Sequence, residues 1–242
     1  MRIPRIYQDR PLTVGDCITL DSSASNHLCR VLRLRSGALL QLFNGDGYDY
    51  PATLQQCGRE AVVTLTDSAQ VVARESPLQI TLAQGISRGE RMDWVIQKGV
   101  ELGVTQIAPL ITERTVVRLN SERWQKRQQH WQGVLIGACE QSGRARVPTL
   151  LAPQSLSAWL QQPVSAAALL LDPLASEGLP ALPPSAEVTL LIGPEGGLSE
   201  GERALARAAG YRGLRLGPRI LRTETAALAA LAVLQAQWGD WR

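Results

Sequence analysis

The chain has 242 residues, 45% of them hydrophobic and 19% charged, which suits a soluble globular protein of one or two domains and excludes a disordered chain. A net charge of +3 is too small to argue for nucleic-acid binding, although Lys98 and Lys126 are the only lysines and every other basic residue is Arg, the residue that grips phosphate bidentately. No apolar run reaches the roughly eighteen residues that a membrane span needs, and no apolar leader follows Met1-Arg2-Ile3-Pro4-Arg5, so a cytoplasmic protein without a membrane partner is expected.

The first seventy or so residues alternate short apolar runs with turn signals. Ile18-Thr19-Leu20, Leu39 to Phe43 and Ala61 to Leu65 are predicted strands, separated by Gly15-Asp16, Asn44-Gly45-Asp46-Gly47 and Cys57-Gly58. Ala24 to Leu34 has a short helical pattern. Strands this short and frequent suggest a small barrel. Arg30, Arg33 and Arg35 sit beside His27, and Arg2 and Arg5 lead the chain. Such a cluster is either a solvated face or a patch that positions phosphates.

Val71 to Pro77 reads as a linker, and beyond it strands alternate with helices, as in a parallel sheet. Leu78 to Ala83, Val104 to Leu110 and Gly213 to Leu216 are predicted strands, and Ala166 to Leu171 and Val188 to Ile192 are apolar runs without alternation, expected of strands covered on both faces. Arg91 to Leu102 is a predicted helix stopped by Gly103. Asn120 or Ser121 caps a long helix with Trp124, Trp131, Leu135 and Ala138 at helical spacing. Ser199-Glu200-Gly201-Glu202 is a capping box, and Pro173 to Pro184 is a loop within the domain. The last helix, Thr223 to Trp238, has no charge between Glu224 and Asp240, which fits a subunit interface better than a helix buried in the core.

The four cysteines (Cys17, Cys29, Cys57, Cys139) are far apart and the only histidines are His27 and His130, so no metal site is expected and the cysteines read as buried, reduced thiols. Dinucleotide, triphosphate-loop and nucleophile-elbow motifs are absent. Instead, Gly193-Pro194-Glu195-Gly196-Gly197 and Leu216 to Ala226 each follow an apolar run, as loops do at the carboxyl ends of buried strands, where open α/β sheets bind ligands. Glu195 would repel a phosphate from the first loop. A ligand with a positive or neutral end suits it better, and S-adenosylmethionine is one such ligand.

Taken together these segments resemble, nearly from end to end, the bacterial 16S ribosomal RNA (uracil-1498-N3)-methyltransferase family of the SPOUT class. The segments that carry the likeness are His27 to Arg35 with Phe43-Asn44-Gly45, Arg91 to Lys98 with Glu101 to Val104, Thr112-Glu113-Arg114, Ala138 to Arg144, the Gly-Pro-Glu-Gly-Gly loop and Leu216 to Ala226. The resemblance implies an α/β fold: a PUA-like β-barrel over residues 1–73 for RNA docking, then a SPOUT-type parallel-sheet domain over residues 74–242 with a trefoil knot. It implies S-adenosylmethionine as cofactor, a homodimer, and a uridine of 16S ribosomal RNA in the small ribosomal subunit as substrate. Leu171, Gly193, Gly196, Gly197, Leu216, Gly217, Ile220 and Leu221 are then expected against the cofactor. Arg222 is expected to stabilise the uridinate, and Glu195 and Glu224 are candidate proton acceptors, each carboxylate also open to a structural role at a helix N-terminus. Arg2, Arg5, His27, Arg30, Arg33, Arg35, Arg114 and Arg144 are expected to contact RNA, with a Glu140–Arg144 ion pair as the alternative for the last. A non-catalytic ribosome-assembly protein, and a relative that methylates another base or the ribose, are the competing possibilities.

Overall fold

The computed structural model describes residues 3–116, 121–164, 167–176, 178 and 183–241. Arg2, the Asn120 or Ser121 cap, the start of the run at Ala166 and part of the Pro173 to Pro184 stretch lie outside the described residues or side chains. The chain divides into two compact units: Met1–Glu75 with Cys139–Val147, and Ser76–Ala138 with Pro148–Arg242. The short further stretch of the first unit comes from far along the chain.

In the first unit, β1 (Arg5–Tyr7), β2 (Cys17–Thr19), β3 (Leu39–Phe43), β4 (Tyr48–Gln56), β5 (Val62–Leu65) and β6 (Gln70–Val71) form one sheet. Its order is β1-β3-β4-β5-β2, with β6 on β4; β1 runs parallel to β3 and the other pairs are antiparallel. Alternation decides what is inside: Leu40, Leu42, Leu54, Val63 and Leu65 are buried, while Leu39 points out. Between β2 and β3, Asp21 caps α1 (Ser22–Asn26) by accepting from Ala24 N–H, and the helix widens into a π-helical turn over His27–Val31. Cys29 in that turn is disulfide-bonded to Cys57, just past β4. This corrects the expectation of four reduced, buried thiols, since Cys17 is moreover exposed. Only Cys139 fits it; burial pushes its thiol up to about 12.

Arg5 holds the two stretches of this unit together. Its guanidinium pairs with Asp49 at 2.6 Å and donates to the carbonyls of Cys139 (2.8 Å) and Arg144 (3.1 Å), with the Phe43 ring 4.4 Å away. Arg144 in turn pairs with Glu75 at 2.6 Å, and Glu140 accepts the backbone N–H of Tyr7. Both arginines are buried. They serve the fold, and their donors are turned inward, away from any RNA. The expected contacts of Arg5 and Arg144 with RNA, and the Glu140–Arg144 pair, are corrected accordingly.

The second unit is a wholly parallel sheet of β7 (Gln79–Gly85), β8 (Gln106–Ile111), β9 (Thr149–Leu150), β10 (Gln154–Ser155), β11 (Ala167–Leu171), β12 (Glu187–Ile192) and β13 (Arg212–Leu214). The order is β10-β8-β7-β12-β11-β13, with β9 on β8. The central strands β7 and β12 are buried over most of their length, as strands covered on both faces are. The helices beyond β7 are α2 (Glu90–Glu101), α3 (Ser121–Ser142), α4 (Leu156–Trp159), α5 (Glu200–Ala208) and α6 (Thr223–Trp238), of which α6 lies on β12, α5 on β11 and α4 on β8. Gly103 ends α2 with φ 82, and α5 opens on the reciprocal Ser199–Glu202 capping box. Helix α6 packs on α2 through Ala227, Ala230, Leu231 and Leu234, and its buried Gln235 is satisfied by Ser76 (2.7 Å) and the Leu102 carbonyl (2.9 Å). Among the described residues no helix is long and apolar enough to cross a membrane.

Candidate functional site

The strands β11, β12 and β13 lie side by side, with Leu170 beside Leu191 and Leu171 beside Leu214, so the loops after them leave one edge of the sheet. The carboxyl edge of an open parallel sheet is where the fold exposes backbone and helix N-termini together. Here the loops 193–199 and 215–222 and the end of β11 enclose a cavity of about 560 Å³. All eight residues expected at a cofactor line it: Leu171, Gly193, Gly196, Gly197, Leu216, Gly217, Ile220 and Leu221. So do Glu195, Arg222 and Arg114.

The first loop is shaped from below by contacts that sequence reading does not anticipate. At Gly85, the end of β7, a Cβ would collide with the backbone nitrogen of Pro194; at Gly193 it would fall 2.9 Å from the carbonyl carbon of Gly197. Glycine is required at both places because chain crosses chain, not because a ligand presses there. Beneath the loop, Gln84 is fully buried and donates to Thr223 Oγ1 at 2.9 Å, while the Thr223 hydroxyl donates to the Gly193 carbonyl at 2.7 Å. Thr223 opens α6, so one hydroxyl ties the two cavity-lining loops to each other.

On its outer side the loop is latched by charge. The Glu195 carboxylate accepts the Arg88 backbone N–H at 2.8 Å and the Arg91 guanidinium at 2.9 Å. Partial burial would raise its pKa, but the hydrogen bonds from Arg88, from its own backbone and from Arg91 prevail and hold it below the usual carboxylate range. A carboxylate held ionised and already paired is a poor proton acceptor, so Glu195 is corrected from catalytic base to latch on the approach to α2. Arg114 donates to the Gly196 carbonyl at 2.8 Å, and its stem fills the space beside Gly196. Glu202, beyond its capping role, accepts the Glu113 backbone N–H at 2.8 Å and so fixes the turn that carries Arg114.

Asp172, Arg203, Arg215 and Arg219 also line the cavity, and the sequence reading does not single them out, whereas it does name Glu224. Asp172, directly after β11, is 1% exposed and pairs with Arg207 at 2.6 Å; its place behind a buried strand is the signal that could have found it. Glu224, in the first turn of α6, has Oε1 4.0 Å from Arg91 and a buried Oε2 without a hydrogen-bond partner among the described residues. An orphaned carboxylate oxygen beside a cavity calls for a donor or a cation from a ligand. Apolar walls (Leu171, Ile192, Leu198, Leu214), open backbone and this carboxylate suit a ligand with an aromatic base at one end and a cationic centre at the other. Of the cluster expected to meet RNA, His27, Arg30, Arg33 and Arg35 are all exposed, and Arg33 is the one described non-glycine residue with a left-handed backbone, φ 53. No group of acidic, histidine and cysteine side chains able to hold a metal is present among the described residues.

Comparison with known proteins places this architecture. Residues 74–235 match the family model of an RNA methyltransferase domain, and residues 20–65 match that of an RNA methyltransferase PUA domain. The chain is 35% identical over 241 residues to the ribosomal RNA small subunit methyltransferase E of Buchnera aphidicola, covering 99% of this chain and 98% of that one. A Legionella pneumophila structure described as a methyltransferase with bound cofactor SAM superposes with a TM-score of 0.96 at 43% identity, covering 99% of this chain and 100% of the other. The Neisseria gonorrhoeae ribosomal RNA small subunit methyltransferase E bound to S-adenosyl methionine gives 0.91 at 39% identity, with both chains fully covered. On the strength of both matched domains and of relatives alike over their whole length, the chain belongs to the RNA methyltransferase family, in the group of the small-subunit methyltransferase E proteins.

Proposed function

We propose that this protein transfers a methyl group from S-adenosylmethionine to N3 of a uridine in 16S ribosomal RNA of the small subunit. The observation that carries the reading is the meeting of both glycine-bearing loops on one cavity of about 560 Å³, a volume within the usual range for small-molecule sites. The cofactor would supply an activated methyl on a sulfonium. The chain's part is to hold and orient: Leu171, Gly193, Gly196, Gly197, Leu216, Gly217, Ile220 and Leu221 would form its bed, with the orphaned Glu224 oxygen available to its positive end.

Uridine N3 carries a proton and becomes nucleophilic only as that proton leaves. A cation beside the flanking carbonyls stabilises the resulting anion by the logic that lowers an acid's pKa next to Arg. Arg222 suits the task. It precedes α6, borders the cavity, is exposed, and among the described residues its side chain has no hydrogen bond or ion pair that would hold it elsewhere. The same reading includes the knotted topology of the SPOUT class, a cytoplasmic setting, and a homodimer built on α6, whose outer face offers Leu228, Ala229, Ala232 and Val233 without a charge.

The test is methyl transfer to small-subunit particles followed by nucleoside mass spectrometry. N3-methyluridine is the expected product. A 2′-O-methylated nucleoside, or no transfer while S-adenosylmethionine binds, would overturn the reaction type. Arg222→Ala should lower kcat by roughly 100- to 1,000-fold, the usual loss for one anion-stabilising donor, with cofactor affinity within about threefold of the parent.

A further inference from the structure

The loop after β13 carries positive charge that nothing among the described residues answers. Arg215, Arg219 and Arg222 are exposed and line the cavity, and among the described residues no hydrogen bond or ion pair engages their side chains. The cavity's other arginines are occupied: Arg91 with Glu195, Arg114 with the Gly196 carbonyl, and Arg203 with the Leu198 carbonyl. The contrast lies within one wall of one site.

Such an excess opposes the cofactor of the proposed function. S-adenosylmethionine carries a sulfonium and an ammonium against a single carboxylate, so its net charge is positive. Unanswered guanidiniums well inside a Debye length of about 10 Å repel it. Its one carboxylate can occupy one guanidinium fork, and two would remain. A surplus of this kind fits a further ligand with several anionic oxygens spaced along a chain, since the planar fork of Arg matches phosphate bidentately. Ile220, next to Arg219, is 88% exposed and gives the same loop an apolar surface for a ribose or a base.

We propose that the loop 215–222 is a phosphodiester clamp, in which Arg215 and Arg219 hold phosphates flanking the target nucleotide. The proposal rests on the ribosomal RNA methyltransferase reading and deepens it. Arg222 is left free to face the base. The two substrates become coupled: phosphates seated on the clamp cancel the charge that opposes the sulfonium, so each ligand raises the affinity of the other. After transfer the product, S-adenosylhomocysteine, has lost that positive centre and is indifferent to the clamp.

The experiment uses the full chain with Arg215→Gln and Arg219→Gln combined. Calorimetry measures S-adenosylmethionine and S-adenosylhomocysteine; filter binding measures a 16S ribosomal RNA transcript across a salt series. The double variant should lose RNA affinity by roughly a hundredfold, about tenfold for each charge-assisted contact. Its plot of log affinity against log salt should flatten by about 0.7 per arginine, as for single-stranded phosphates. Without RNA it should bind S-adenosylmethionine equally well or up to about threefold more tightly, with S-adenosylhomocysteine unchanged. A fall in S-adenosylmethionine affinity with RNA binding intact would overturn the clamp and assign these arginines to the cofactor carboxylate. Unchanged affinities throughout would reduce them to a solvated face. If the parent protein bound no S-adenosylmethionine, the methyltransferase reading would fall first, and the clamp with it.

Discussion

The first unit and the cavity of the parallel-sheet unit both draw on arginine, and they use it in opposite ways. Arg5 and Arg144 are buried, each against a carboxylate, and Arg5 spends further donors on two carbonyls. Arg215, Arg219 and Arg222 are exposed and, among the described residues, unanswered. The first kind is part of a core that happens to be polar; the other is a surface waiting for an anion. What separates them is the number of acceptors within reach, and this is a property of the fold rather than of the residue.

The largest expected effect comes from breaking the buried set. Arg5→Ala leaves Asp49 buried without its guanidinium and removes one donor each from the Cys139 and Arg144 carbonyls, and removing one partner of a buried pair costs about 3–5 kcal/mol. All six tryptophans, from Trp94 to Trp241, lie outside the first unit. Circular dichroism in urea should therefore show lost stability, and hydrogen exchange should place it in Met1–Glu75 and Cys139–Val147. Cofactor binding should persist where tryptophan fluorescence reports a folded second unit. An unaltered exchange pattern would mean that Arg5 does not hold this unit together.

A smaller effect is expected at the chain crossing below the first loop. Gly85→Ala puts a methyl group into the Pro194 backbone, and crowding of that kind costs about 1–3 kcal/mol. Because the atom in the way belongs to the Gly-Pro-Glu-Gly-Gly loop, affinity for S-adenosylmethionine should fall roughly tenfold or more while the arginine-lined loop 215–222 keeps its RNA affinity. Loss of both affinities together would show that the two loops respond as one body, through the Thr223–Gly193 hydrogen bond.

These cases also mark what the sequence discloses. The parallel strands β11 and β12 were legible because a strand covered on both faces needs an apolar run without alternation, and Ala167–Leu171 and Val188 to Ile192 supply it. The capping box at Ser199 and the stop at Gly103 were legible because capping is chemistry between near neighbours. The glycine loops were legible as loops, but the requirement at Gly85 depends on Pro194, more than a hundred positions away in the sequence. Separation along the chain, long or moderate, likewise hid the membership of Cys139–Val147 in the first unit, the Glu75 partner of Arg144 and the pairing of Cys29 with Cys57. The π-helical turn at His27–Val31 has no compositional mark, since its wider hydrogen-bond spacing uses the same residue types as an ordinary helix.

The smallest effect on stability, and the sharpest on meaning, is expected at Arg30 and Arg33. Both are exposed, and no ion pair or hydrogen bond engages either side chain among the described residues, so Arg30→Ala with Arg33→Ala should change stability by less than about 0.5 kcal/mol. Arg33 nevertheless keeps a left-handed backbone at φ 53, a conformation that costs a side-chain-bearing residue roughly 1 kcal/mol and that glycine would take freely. A purely solvated position has no reason to hold an arginine there. If the cluster positions phosphates, the double variant should bind the 16S ribosomal RNA transcript roughly tenfold or more weakly, with a salt dependence shallower by about 0.7 to 0.9 per arginine removed. Its affinity for S-adenosylmethionine should not move, because neither arginine borders the cavity. RNA affinity and salt slope equal to the parent's would place this cluster with ordinary surface charge, and would leave the loop after β13 to account for RNA binding.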